Sequence, residues 1–172
     1  DVTVVDSNFS SEGSAAAKFD YTSGEVLIEG GSYEGTDQGL LFDAHHGNVT
    51  LRDVNAYGGG WGGAFMVNGD LVIDGGDFEG TQGAGAAMMT KGGDVTIMNA
   101  TIHDSPAGIQ FKVDGSVKVC DNTFSNNGTD IQGEYTGTFD DCSPVHPPGE
   151  PPVNPTASQP VDKEDKEYDG NE

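Results

Sequence analysis

Arg52 is the only arginine in the 172-residue chain, and it stands among acids. Asp53 follows it directly, and Glu29 and Asp74 lie 23 residues before and 22 residues after it. A guanidinium between carboxylates forms a charge cluster in which the cation is held protonated. The carboxylates of Glu29, Asp53, Asp74 and Asp77 are also oxygen donors of the kind Ca²⁺ takes, about six to eight at a time. Close by, Tyr57 and Trp61 frame the run Gly58-Gly-Gly-Trp-Gly-Gly. An aromatic ring on a glycine-rich loop presents a large apolar face, suited to stacking on a sugar ring.

Other chemistry-bearing residues are sparse. His45-His46 lies near Asp43, but adjacent residues point apart, and no Cys or third His stands at ligand spacing. His103 and His146 look isolated. Four Asn-x-Ser/Thr sequons occur, at Asn8, Asn48, Asn99 and Asn127. Asn127, in a predicted loop, is the best glycosylation acceptor among them. No Ser–His–Asp arrangement, phosphate loop or zinc pattern stands out.

The charge balance is extreme, with 29 Asp plus Glu against 7 Lys plus Arg. Self-repulsion of this size is screened only when salt shortens the Debye length. The scarcity of basic residues resembles the composition of haloarchaeal proteins; an acidic surface protein of a mesophile is the other reading. Nucleic acid is not an expected partner, because no basic patch exists to neutralise phosphates. No apolar run reaches the ~18 residues of a membrane span.

What must position these residues is a repeat. Six segments align, beginning at Asp1, Glu25, Asn48, Asp70, Asp94 and Ser116, with a degenerate seventh at Thr138. Their spacing is 22–24 residues. A Gly precedes each start from Gly24 to Gly137. Alternating aliphatics follow, from Val2/Val4 to Val117/Val119, and mark a strand with one buried face. Next come Asp6, Gly30, Asp53, Gly75, Asn99 and Asp121, residue types that tolerate a left-handed bend. An apolar residue then returns inward at Phe9, Tyr33, Ala56, Phe78, Ile102 and Phe124. A further strand closes the repeat, its inward residues read as Ala17/Phe19, Leu40/Phe42, Ala64/Met66, Ala87/Met89, Ile109/Phe111 and Ile131. Asn8, Ser32, Asn55, Asp77, Thr101 and Thr123 form a polar row beside the bend, read as a hydrogen-bonded ladder.

A repeat this short buries its apolar face only by stacking on identical neighbours. The reading is all-β: a parallel β-helix of about six coils over residues 1–143. The rival is an antiparallel meander, and the cysteines separate the two. Cys120 and Cys142 occupy the same offset in consecutive repeats. Coils stacked at about 4.8 Å bring them within disulfide range, about 4.4–6.8 Å between Cα atoms; a meander holds them apart. The alternative within the stack is two free thiols. A disulfide implies an oxidising, extracellular location. Residues 144–172 hold seven of the eight prolines and then a charged run. They are expected to be a disordered spacer, suited to tethering. Further coils or a cap are expected ahead of Asp1.

This architecture resembles the pectin-lyase-like superfamily of right-handed parallel β-helices over residues 1 to about 143. The likeness rests on the repeat and not on a catalytic signature; the Asn-Thr-Asp and Gly-His-Gly runs of polygalacturonases are absent. In lyases of this fold an arginine or lysine removes the proton beside a uronate carboxyl, and acids hold Ca²⁺. The resemblance implies Arg52 in the first role and Glu29, Asp53, Asp74 and Asp77 in the second, with extracellular polysaccharide as partner. Electrostatics oppose the first role, because an arginine between carboxylates is a poor base. The competing expectation is a non-catalytic surface or scaffold protein, tethered through its C-terminal tail.

Overall fold

The computed structural model describes residues 1–142, which form strands and no helix. The expected tail, 144–172, lies outside the described residues. Three strands per repeat recur, and each pairs in parallel with its counterparts one repeat before and after. The first sheet holds seven strands, running from Val2–Val5 through Val49–Arg52 to Phe139–Asp140. The second runs from Asn8–Ser11 through Asn55–Gly58 to Thr123–Ser125. The third runs from Ala15–Asp20 through Gln38–His46 and Trp61–Asn68 to Thr129–Tyr135. The chain is therefore a parallel β-solenoid of about six coils, and the meander is excluded.

The bend between the first and second sheets forms as the residue types predict. Asp6, Asp53, Asn99 and Asp121 have φ between 43° and 55°, and Gly30 and Gly75 have φ of 68° and 79°. Only residues that tolerate the left-handed region hold this corner without large strain. The corner before the first sheet needs glycine for another reason. A Cβ on Gly93 would lie 2.0 Å from the Gly69 carbonyl oxygen, and one on Gly115 2.3 Å from that of Gly93. Backbones of successive coils approach there too closely for any side chain.

Beside that corner runs a hydrogen-bonded ladder, seven positions before the predicted row in each repeat. The side chains of Asp1, Asn48, Asp70 and Asp94 each accept a bond from the backbone N–H at the start of the next repeat, at 2.8–3.0 Å. The Asn8 row is in register, but only Asn8 itself accepts such a bond, from Ser32 N–H. Part of the chain's acidity is thus spent on joining coils.

Inside, Val26, Ile28, Val49, Leu51, Leu71 and Ile73 of the first sheet are 3 % exposed or less. They meet the row Tyr33, Ala56, Phe78 and Ile102 of the second. The third sheet differs from expectation in two coils. Its inward rows are Ala17, Leu40, Gly63, Ala86, Ile109, Ile131 and Phe19, Phe42, Phe65, Met88, Phe111, Gly133. Ala64/Met66 and Ala87/Met89 face outward instead. Rings decide this register: Phe19 and Phe42 stack with centroids 4.5 Å apart, and Phe42 and Phe65 at 5.7 Å. Slipping one residue would replace the Phe65 ring by a thioether and turn the ring into water.

The disulfide joins Cys120 to Cys142, with Cα atoms 5.0 Å apart. It ties the start of the seventh repeat to the coil beneath it.

Candidate functional site

Glu29, Arg52 and Asp74 occupy in-register positions on three adjacent first-sheet strands, as their spacing predicts. Arg52 is exposed and has no carboxylate within ion-pair distance among the described residues. Asp74 Oδ1 instead accepts a 2.7 Å bond from Asn99 Nδ2. Asp53 holds the bend, with φ of 50°. Asp77 lies beyond that bend, on the second sheet, with other partners. The four carboxylates read as Ca²⁺ donors are therefore divided between two sheets and a corner. Among the described residues no three Asp, Glu, His or Cys side chains gather as a metal-holding group.

Asp77 belongs to a constellation that linear reading missed. Counted from the start of each repeat, one offset on the second sheet carries Ser10, Glu34, Tyr57, Glu79, His103 and Ser125, paired in register from coil to coil. This row projects from the same face as the Asn8 row, two residues along each strand. Tyr57 O–H donates to Asp77 Oδ2 at 3.2 Å, reaching diagonally to the following coil. From the coil beyond, His103 Nε2 comes within 2.8 Å of Asp77 Oδ1, and His103 Nδ1 within 2.7 Å of Asp104 Oδ2. Asp77 Oδ1 is sealed from solvent and makes no aligned hydrogen bond, so His103 serves it chiefly as a charge.

The protonation states follow from these contacts. Burial pushes the Tyr57 phenol up to about 12, and the Asp77 charge and hydrogen bond, with Glu79 and Glu34, add to the rise. Tyr57 stays a donor across the physiological range. For His103, burial alone lowers the pKa. The bond to Asp104 and the charges of Asp77, Asp104 and Glu79 outweigh it, and the net shift is upward. Asp104 is lowered by its bonds from His103 and Asn126. The face therefore offers a fixed phenol, an imidazole whose two ring nitrogens each face a carboxylate, and the flanking carboxylates of Glu34 and Glu79. It has hydrogen-bond donors and acceptors and an aromatic surface, but no open base: both ring nitrogens of His103 are engaged.

A family model for the right-handed β-helix region matches residues 38–144, more than half of the chain. The chain belongs to the right-handed β-helix family. Searches of curated proteins and of solved structures found no match. Within the β-helix, the matched stretch contains Tyr57, Asp77, Glu79, His103 and Asp104, while Glu34 lies just ahead of it.

The remaining predicted positions fall elsewhere on the β-helix. Trp61 opens a third-sheet strand and is half-buried. Its indole lies against the next coil: a Cβ on Gly83 would meet Trp61 Nε1 at 2.8 Å. Tyr57 and Trp61 thus stand on strands of different sheets. Asn127 is fastened to the coil below, its Oδ1 accepting from Ser105 N–H at 3.2 Å and its Nδ2 donating to Ile102 O at 3.0 Å. Nδ2 also donates to Asp130 Oδ1 at 3.3 Å, and a glycan on that nitrogen leaves a single N–H, so one of its two bonds must be given up. His45 is fully buried between Thr22 Oγ1 at 2.8 Å and Gly24 O at 3.0 Å, while His46 is exposed.

Proposed function

We propose that this β-helix protein binds polysaccharide outside the cell, along the outer face of its second sheet. The observation that carries this reading is the in-register row Glu34, Tyr57, Glu79, His103. Coils recur at about 4.8 Å, so an extended polymer of repeating sugars meets the row at repeating intervals. Carboxylates accept bonds from hydroxyls, and the Tyr57 ring supplies an apolar surface. The disulfide supports an oxidising, extracellular location. The excess of acid favours neutral polymers unless salt or divalent cations screen anionic ones.

Binding without turnover is the form the chemistry favours. A guanidinium such as that of Arg52 is by its chemistry a poor general base, and both ring nitrogens of His103 face carboxylates. A displayed, non-catalytic module, tethered through residues 144–172, fits that account. β-Elimination at Arg52 with Ca²⁺ is the rival outcome.

One set of measurements separates them. Neutral and uronate polymers are titrated at molar salt, with and without Ca²⁺, while unsaturated product is followed by absorbance. Tyr57→Ala and Glu79→Gln are each expected to weaken binding about tenfold, worth ~1.4 kcal/mol, and Arg52→Ala to leave it unchanged. Turnover lost in Arg52→Ala but kept in Lys91→Ala would put the lyase ahead. No binding of any polymer would end the proposal.

A further inference from the structure

A hollow of about 290 Å³ opens on the outer face of the third sheet, away from the row proposed for polysaccharide. Met66, Met89 and His46 line it. We propose that these three side chains form a binding site for a soft monovalent metal ion, Cu(I), with Ag(I) as its redox-inert analogue.

The outward turn of the two methionines is the first observation. Met66 and Met89 are in-register neighbours on adjacent strands and are 40 % and 45 % exposed. Among the described residues the other exposed large apolar side chains, Val2, Val5, Phe9 and Tyr21, all belong to the first repeat. The two thioethers have a coil on either side and are still in water. A thioether is a soft, polarizable donor that selects Cu(I) and not Ca²⁺, Mg²⁺ or other hard cations.

The imidazole is the second. His46 ends the preceding third-sheet strand, opposite Asn68. Its Nδ1 lies 3.2 Å from the Asn68 amide, which leaves Nε2 unengaged. A hydrogen bond to one ring nitrogen sets the tautomer that presents the other to a metal. His45 also borders the hollow, but both its nitrogens are used inside the coil, so it is not a ligand.

The third is the absence of a competing thiolate. The chain has two cysteines, and they are joined in the disulfide. Soft-metal binding by this protein must therefore come from thioether and imidazole. No carboxylate lines the hollow, while the net charge of −22 raises the local concentration of any cation. Lys91 borders the hollow and has no ion-pair partner among the described residues. Its ammonium opposes a bound cation, and its flexible stem lets it swing aside.

The test uses the full chain with its disulfide intact. Cu(I) is delivered anaerobically against a competing chromophoric chelator, and Ag(I) is titrated in chloride-free nitrate buffer. Binding of one equivalent is expected, with both ions shifting the Met66 and Met89 methyl resonances. Met66→Leu with Met89→Leu should lower affinity at least about a hundredfold, since changes in outer-shell partners alone cost about 10–100-fold. Asn68→Ala should cost about tenfold. Lys91→Gln should bind more tightly, and Met98→Leu should behave as the parent. Retained affinity in the double leucine variant, whose folding is checked by its melting curve, overturns the proposal. So does binding that leaves both methyls unmoved.

Discussion

The first and third sheets are built from the same repeats, yet they are read from the chain with very different ease. From the start of a repeat to the left-handed bend and on to the inward residue of the second sheet, the count never changes: Phe9, Tyr33, Ala56, Phe78, Ile102 and Phe124 all fall eight residues after the start. A loop of variable length then intervenes. The first inward residue of the third sheet lies 16 residues on in Ala17 and Ala86 but 15 in Leu40, Gly63, Ile109 and Ile131. A constant count carries register along the chain by local geometry. A variable one hands the decision to packing, and there the one-residue slip in two coils arose. The proposed metal site lies in the part of the molecule where that slip matters, because it decides which methionine points outward.

The comparison is broken most directly at Phe65 and Met66. Phe65→Ala removes a ring from the buried stack and is expected to cost about 4 kcal/mol. Met66→Ala, on the outer face, should stay within ~0.5 kcal/mol. Denaturant midpoints giving the reverse order would restore the slipped register.

Glycines sharpen the same contrast. Gly93→Ala drives a Cβ into the neighbouring backbone and should cost about 3 kcal/mol or more. Gly92→Ala meets nothing within 4 Å but keeps a φ of 71°, so it should cost only the left-handed penalty, about 1 kcal/mol. Equal losses in the two melts would remove the close-approach argument.

The Cys120–Cys142 link closes a loop of 22 residues. Replacing both by Ser should cost about 2–3 kcal/mol. Hydrogen exchange should show the loss first in the last coil, around Val117 and Phe139, and not in the middle of the rod. Tyr33 works in the opposite direction. Its buried hydroxyl has no partner, so Tyr33→Phe is expected to leave stability unchanged or raise it by up to about 1 kcal/mol.

The smallest effect belongs to the second-sheet face. The His103 pKa is raised on folding above its ordinary 6.5. Its contribution to stability is therefore full below pH 6.5 and is lost as pH rises through the folded value. Asp104 is lowered, so its share is present above its ordinary 3.8 and disappears as pH falls through the folded value. His103→Gln should flatten the fall in stability as pH rises above 6.5. A parent whose stability is level across that range would deny the His103–Asp77 contact.

The candidate face was legible in principle. Glu34, Tyr57, Glu79 and His103 share one offset in the repeat, and reading that column places His103 beside acids instead of alone. What no column shows is the diagonal reach of Tyr57 and His103 to Asp77, because it depends on rotamers and on which neighbours leave room. The Arg52 row illustrates the opposite case. Its residues stack as their spacing predicts, yet stacking did not produce an ion pair, since exposed charges in water gain little by meeting.

The chain by itself determined the parallel stack, the left-handed corners, the first two sheets and the cysteine pairing. Each follows from residue type at a constant count, and short-range backbone geometry enforces it. Tertiary packing alone decided the third-sheet register, the outward methionines and the Tyr57–Asp77–His103 cluster. For the register and the methionines several arrangements satisfy the local pattern equally, and the rings stacked inside the coil distinguish among them; for the cluster, rotamers and the room left by neighbours decide.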